Sequence, residues 1–197
     1  MENLINKVLW TKDSYMRIEQ FPDKSVDMIL TDPPYDFSEE EKLKWHKEFL
    51  RLSRGVVIVF SPPENQWVLP AEQYGFWIKP ISTKNTSKSY SRFVEMLFFY
   101  NTKGSIWMNN RHWSQYTNVF KDLVDESLHP FRKPPSLIER LILNHSNKGD
   151  LILDPFAGSF VVAEVCKRLK RNFISFEKEK EHVEEAYEKI FGDIIRQ

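Results

Sequence analysis

The chain has one cysteine, Cys166, among its 197 residues. A lone thiol excludes an internal disulfide framework and a thiolate metal cluster, and no metal is expected. Its place in an apolar-periodic stretch reads as a buried structural thiol. No apolar run approaches the roughly 20 residues that a membrane span needs. No basic-then-apolar leader opens the chain, so the expectation is a cytoplasmic protein. Charge of one sign is also missing, with 28 basic residues facing 28 acidic ones. Phosphate contacts supply most non-specific affinity for nucleic acids, and no overall basic excess is present to make them. The charge is uneven, however. From Lys79 to Lys121 there are seven basic residues (Lys79, Lys84, Lys88, Arg92, Lys103, Arg111, Lys121) against one acid, Glu95. Such a segment can form a local basic footprint, and ordinary solvated loop charge gives the same composition. The length favours one domain, 1–197, with a sizeable core. Repeats and low-complexity tracts are absent.

What is present is concentrated in a few short segments. The apolar run Val26–Leu30 reads as a strand buried on both faces, and it ends in Thr31-Asp32-Pro33-Pro34-Tyr35. Asp32 can accept a hydrogen bond from an amine, and the proline carbonyls can accept another without a competing N–H. Tyr35 offers a flat face to a planar ring. That set suits chemistry on the exocyclic amine of a base, and a proline-stiffened turn capped by an Asp is the bland alternative. A second segment, Leu151-Ile152-Leu153, leads into Asp154-Pro155-Phe156-Ala157-Gly158-Ser159 and an apolar-periodic helix over 161–169. A further strand, Asn172–Phe176, ends in Glu177. A turn of this kind brings backbone N–H groups near a ligand, and an acid about 20 residues further on is placed for ribose hydroxyls.

Between and around these segments the pattern alternates. Ser38–Glu41 reads as a capping box opening a helix with Leu43, His46, Phe49, Leu50 and Leu52 as its apolar stripe. Val56–Phe60, Phe76–Ile78 and Val94–Tyr100 read as strands, and Ser82–Ser91 as a loop. Ser136 and Glu139 read as a second capping box for a helix through about Asn144. The last helix is expected from about 180 to 191. Strands alternating with helices imply an α/β, mostly parallel sheet with helices on both faces, and ligands at the carboxyl ends of its strands.

Together, Asp-Pro-Pro-Tyr at 32–35 and Asp-Pro-Phe-Ala-Gly at 154–158 resemble the catalytic and cofactor motifs of the S-adenosylmethionine-dependent amino-methyltransferases of DNA. The catalytic motif comes first, an order similar to the permuted beta group of that family. His129-Pro-Phe-Arg-Lys133-Pro-Pro resembles the family's His-Pro-x-x-Lys-Pro segment, and Lys12-Asp13-Ser14 a short stretch beside the cofactor's adenine. The resemblance implies a Rossmann-like class I methyltransferase fold, S-adenosylmethionine as cofactor and DNA as partner. It implies Asp32, Pro33, Pro34 and Tyr35 as the catalytic set. It places Asp13, Ser14, His129, Lys133, Asp154, Phe156, Ala157, Gly158, Ser159 and Glu177 around the cofactor, with Lys133 on its carboxylate and Glu177 on its ribose. Lys84, Lys88, Arg92 and Arg111 are the candidate DNA contacts. Adenine N6 is the expected target, with cytosine N4, RNA, or a catalytically silent DNA-binding subunit as alternatives.

The chain departs from the family pattern in two places. Phe160 stands where the family has the last Gly of its cofactor turn, which puts cofactor affinity in question if that Gly is needed for positive φ. The region 101–128 is short for a target-recognition region, which implies loose sequence preference, a homodimer, or a second subunit that supplies specificity.

Overall fold

The computed structural model describes residues 1–79, 93–104, 117–122 and 132–184. Among the described residues, eight strands form one sheet: β1 (Lys7–Trp10), β2 (Met28–Thr31), β3 (Val57–Ser61), β4 (Gln73–Ile78), β5 (Val94–Tyr100), β6 (Val119–Phe120), β7 (Leu151–Asp154) and β8 (Asn172–Glu177). Their spatial order is β1-β8-β7-β2-β3-β5-β4-β6. The first five strands in that order run parallel, and β5 is antiparallel to both β3 and β4. The helices are α1 (Ser14–Ile18), α2 (Glu39–Leu52), α3 (Pro135–His145) and α4 (Val161–Arg168).

The central strands β2, β3 and β7 are buried along their whole length. That is why they read as continuous apolar runs: a parallel sheet covered on both faces offers no wet side. Alternate residues divide between two cores. Met28, Leu30, Ile58 and Phe60 pack with residues of α3 and α4. Ile29, Val57 and Val59 pack on the opposite face with Trp45, Phe49 and Leu52 of α2 and Ile18 of α1. Helices therefore cover both faces, as expected. Among the described residues no helix is long and apolar enough to cross a membrane.

The order in which the chain adds strands reverses between the neighbouring parallel strands β2 and β7. From β2 the chain crosses through α2 to β3 on one side. From β7 it crosses through α4 to β8 on the other. A crevice opens at the carboxyl ends of strands at such a switch point.

Three sequence expectations need correction. The capping box of α2 is formed, with Ser38 Oγ accepting from Glu41 N at 3.2 Å and Glu41 Oε2 accepting from Ser38 N at 2.8 Å. Its buried face, however, is Lys42, Trp45, Phe49 and Leu52, and Leu43 is exposed. Lys42 can face inward because its ammonium finds Glu39 at 2.6 Å, the Gln66 carbonyl at 3.0 Å and the Asn65 side chain. The N-terminus of α3 has no side-chain cap. Pro134 occupies the cap position and Pro135 opens the helix, so Ser136 lies inside it. Strand β1 and helix α1 were not foreseen. The final helix is described over 180–184, and its remainder lies outside the described residues.

Candidate active site

Five parallel strands deliver their carboxyl ends to one side of the sheet. Asp13 follows β1, Glu177 ends β8, Asp154 ends β7, Asp32 follows β2, and Ser61-Pro62-Pro63 closes β3. The two motifs thus meet at the switch point between β2 and β7. The Thr31 hydroxyl donates to Asp154 Oδ1 at 2.7 Å and ties the ends of β2 and β7 together.

On one side of this tie lies the glycine turn. Phe156 N donates to Asp154 Oδ1 at 3.2 Å, and Ala157 N donates to the Phe176 carbonyl at 2.9 Å. Gly158 has φ +48°, and a Cβ built there would meet, beyond its two chain neighbours, no atom of the described residues within 4 Å. The backbone at Gly158 therefore faces open space that a ligand can enter. Gly158 N donates to Glu177 Oε2 at 2.7 Å, while Glu177 Oε1 accepts from the N–H groups of Lys178 and Glu179. The carboxylate is fixed at the mouth of the turn; Oε1 is filled by its two N–H donors, and Oε2, with one donor, retains acceptor capacity for a hydroxyl. Asp13 caps α1 through Met16 N at 3.2 Å, beside Glu177 because Trp10 pairs with Glu177 across β1 and β8. The side chain of Phe156 packs edge-on against Trp45, with ring centroids 4.6 Å apart. Arg132, absent from the candidate residues, braces the turn from behind by donating to the Ser159 carbonyl at 3.0 Å and pairing with Glu164 at 2.6 Å.

Phe160 adopts the left-handed conformation, φ 58° and ψ 19°, at the start of α4. The position does require what a Gly supplies. The ring is nonetheless buried in the core beneath α3 and α4 and is not part of the open face at Gly158. Phe accepts the strained backbone because its side chain has a buried apolar site to fill.

On the other side of the tie lies a charged cluster. Asp32 Oδ2 accepts from the Lys133 ammonium. Lys133 also pairs with Glu95 Oε1 at 2.7 Å and approaches the Tyr35 hydroxyl at 3.5 Å. The sequence placed Lys133 on the cofactor carboxylate. In the structure its ammonium is held by Asp32 and Glu95, because both carboxylates lie within reach and the site is buried. Burial alone would lower the Lys133 pKa, but Asp32 and Glu95 raise it well above its ordinary value. Burial pushes the Asp32 pKa up, Lys133 draws it down, and Glu95 pushes it up again; the net shift is upward. Asp154, buried against Thr31, is pushed up to about 7 by burial.

Glu95, unrecognised from sequence, is 1% exposed and also pairs with Lys79 at 2.6 Å. Tyr35 donates its hydroxyl to Glu95 Oε1 at 3.3 Å, and the residue as a whole is 46% exposed. The side chain is anchored by its tip and remains partly open to solvent. The remaining oxygen of the pair is the informative one: Asp32 Oδ1 is buried and, among the described residues, has no hydrogen-bond partner. His129, Lys84, Lys88, Arg92 and Arg111 lie outside the described residues.

Comparison with known proteins agrees with this geometry. The chain is 28% identical to the type II methyltransferase M2.LlaDCHI of Lactococcus lactis subsp. cremoris, covering 94% of this chain and 89% of that protein. It is 27% identical to the type II methyltransferase M2.DpnII of Streptococcus pneumoniae, covering 93% and 89%. Its structure superposes on the M1.HpyAVI–SAM complex with a TM-score of 0.70 at 26% identity, covering 93% of this chain and 98% of that one. The cytosine-N4-specific PvuII DNA methyltransferase shares the fold, with a TM-score of 0.70 at 18% identity and coverage of 96% and 92%. The sheet and its flanking helices are thus those of an α/β Rossmann-like class I methyltransferase. The family model described as DNA methylase matches residues 26–188, which take in the Asp32–Tyr35 loop, Glu95, Lys133, the glycine turn and Glu177; the chain belongs to the N6/N4 DNA methylase family.

Proposed function

We propose that the chain transfers the methyl group of S-adenosylmethionine to the exocyclic N6 amine of adenine in DNA. The observation that carries this reading is the unpartnered Asp32 Oδ1, buried one residue beyond the Thr31–Asp154 tie and so beside the cofactor turn. A buried carboxylate oxygen without a donor is costly, and an N–H of the substrate would satisfy it.

The residues present fit the cofactor. The open backbone at Gly158 would admit it, the fixed Glu177 carboxylate would receive a ribose hydroxyl, and Asp154 with the 156–159 backbone would hold its methionine end. When bound, S-adenosylmethionine supplies an electrophilic methyl group on a sulfonium. The chain's own contribution lies on the amine. An exocyclic amine is a weak nucleophile because its lone pair is delocalised into the ring. Donation of its N–H to Asp32 Oδ1 draws the nitrogen toward tetrahedral geometry and frees the lone pair. Asp32, kept more basic than usual by burial, is placed to take the released proton. Holding amine and methyl in near-attack contact contributes the remainder.

The exposed Tyr35 ring provides the surface for the base. Extruding a base from a duplex costs a few kcal/mol, and stacking on one aromatic returns roughly 1–3 kcal/mol. Lys84, Lys88, Arg92 and Arg111 are the candidate phosphate contacts. The match to M2.LlaDCHI extends over 250 residues, more than the 197 of this chain, so that relative carries segments this chain lacks. That difference is consistent with a reduced recognition region and with specificity supplied by a second copy or a second subunit.

The reading is tested by incubating the chain with labelled S-adenosylmethionine and unmodified DNA. Label transfer that vanishes in Asp32→Ala, with cofactor binding retained in calorimetry, supports it. Nucleoside analysis of the product then separates N6-methyladenine from N4-methylcytosine. Absence of transfer by the wild-type chain overturns the reading.

A further inference from the structure

Glu95 has no place in the motif chemistry, yet it is among the most buried charged residues of the chain, at 1% exposure. It sits in the second position of β5, in a strand that is otherwise mostly apolar. A buried carboxylate persists only when fully partnered, and Glu95 is. Oε1 faces Lys133 at 2.7 Å and accepts from the Tyr35 hydroxyl, and Oε2 faces Lys79 at 2.6 Å. Lys133 has three N–H groups, and it has three neighbours to receive them: Asp32 Oδ2, Glu95 Oε1 and the Tyr35 oxygen.

From this geometry we infer that Glu95 is a positioning residue for the amine-binding carboxylate. With Lys79 behind it, Glu95 holds the Lys133 ammonium on one oxygen of Asp32 and leaves the other free for the substrate. The inference rests on the methyltransferase reading above and assigns Glu95 and Lys79 a role in it.

The arrangement has a charge logic. Two carboxylates and two ammoniums alternate in a line from Asp32 through Lys133 and Glu95 to Lys79. Ionised, the line is neutral as a whole. Lys133 alone beside Asp32 would weaken it as a base. Sharing the same ammonium with Glu95 restores part of that basicity. Lys79, the member farthest from Asp32, keeps Glu95 from claiming Lys133 entirely. Burial alone would raise the Glu95 pKa, but the two lysines hold it below the ordinary carboxylate value, so it stays anionic. The titratable groups facing Asp32 are Lys133, Glu95 and Tyr35, with Asp154 across the Thr31 tie.

The two lysine–glutamate contacts make opposite predictions. In Glu95→Gln the shared ammonium passes wholly to Asp32 and one negative neighbour is lost. Asp32 becomes less basic, and the acid limb of the single-turnover rate against pH moves to lower pH. In Lys79→Met the Glu95 carboxylate draws Lys133 away from Asp32, and the same limb moves to higher pH. The expected loss of rate in Glu95→Gln is on the order of tenfold to a hundredfold, the scale of a small misplacement at a reacting group. The KM for S-adenosylmethionine stays within about twofold, since the polar partners of Glu95 are Lys133, Lys79 and Tyr35 rather than groups of the glycine turn; the rates are read from about pH 5 to pH 9.

The experiment measures methyl transfer to DNA by wild type and both variants, with thermal melts to confirm folding. Opposite displacement of the limb in the two variants supports the clamp, and if Glu95→Gln does not fold, the upward displacement in Lys79→Met decides alone. A limb that stays in place in the folded variants while the wild type is active overturns the positioning role. An inactive wild type overturns the methyltransferase reading, and the clamp with it.

Discussion

Thr31 and Asp154 lie 123 residues apart in the chain, and the Thr31 hydroxyl donates to Asp154 Oδ1 at 2.7 Å inside the protein. One residue further along each strand lie the two halves of the proposed site: Asp32 toward the amine, and the 155–159 turn toward the cofactor. The parallel pairing of β2 with β7 sets Ile29 against Leu153 and so brings the two strand ends level. A register slip of one residue would move every side chain to the other face, and Asp32 and the glycine turn would no longer share a crevice.

Asp154 makes the stability of the apo protein depend on pH. Its folded pKa, raised by burial to about 7, lies above its ordinary value of 3.8 in the unfolded chain. The unfolded state therefore releases this proton first as pH rises, and folding stability falls between those two values. Stability from this group is fully present below pH 3.8 and is lost as pH climbs through about 7. Asp154→Asn keeps the shape and removes the titration. The melting temperature of the wild type should fall relative to that of Asp154→Asn as pH rises through this window, as differential scanning calorimetry of both proteins would show. Parallel curves would mean that Asp154 stays charged throughout.

Phe160→Gly separates strain from packing. The backbone at φ 58° costs roughly 1–2 kcal/mol for a residue with a Cβ, and Gly relieves it. The ring is 3% exposed within the core, and losing a buried Phe side chain costs roughly 3–5 kcal/mol. The balance is a net destabilisation of about 2 kcal/mol, measurable by denaturant titration. Affinity for S-adenosylmethionine should remain within about twofold, because the ring is no part of the open face at Gly158. A large gain in affinity would show instead that the ring reaches the cofactor.

Much of this could be seen in the letters, for a physical reason. The strands β2, β3 and β7 are covered on both faces, and their apolar runs say so directly. The capping box at Ser38–Glu41 and the acid at Glu177 depend on local spacing alone, and both are where the spacing puts them. What the sequence hid is what depends on distant partners. Strand β1 buries only Val8 of its four residues, so its pattern is too thin to read. Lys42 faces inward because Asn65 and Gln66 arrive from the end of β3 to receive its ammonium. Glu95 looked like one acid in a basic segment, and only the fold brings Lys133 and Lys79 to it. The Glu95 position carried one available signal, a charged residue in a strand otherwise mostly apolar, which a solvent-facing edge position would also have explained.

Glu177→Gln tests the cofactor side without emptying it. The amide still offers one oxygen to Gly158 N, but its NH2 faces the N–H groups of Lys178 and Glu179, which the carboxylate now receives at 2.8 and 2.9 Å. Donor would meet donor there, and the ribose hydroxyls would lose a charged acceptor. A charge-assisted hydrogen bond is worth roughly 1.5–3 kcal/mol, so binding of S-adenosylmethionine in calorimetry should weaken by about tenfold or more. Binding at wild-type strength would remove Glu177 from the cofactor site.

Tyr35 joins two demands in one side chain, and two substitutions separate them. Its hydroxyl is tied to Glu95 at 3.3 Å while the residue stays 46% exposed. Tyr35→Phe keeps the ring and cuts the tie. The stacking surface survives with less fixed orientation, so the methylation rate should fall only modestly, by about threefold to tenfold, while DNA affinity holds. Tyr35→Ala removes the surface itself. Stacking of one base on one aromatic is worth roughly 1–3 kcal/mol, so its loss should lower the population of extruded base by about fivefold to more than a hundredfold. A duplex with 2-aminopurine at the target position reports that population through its fluorescence, which rises when the base leaves the stack. The expected order of signal on binding is wild type, then Tyr35→Phe, then Tyr35→Ala near the level of free duplex. Equal signal in all three proteins would mean that another surface receives the base, and Tyr35 would then be a spacer for the Asp32 loop.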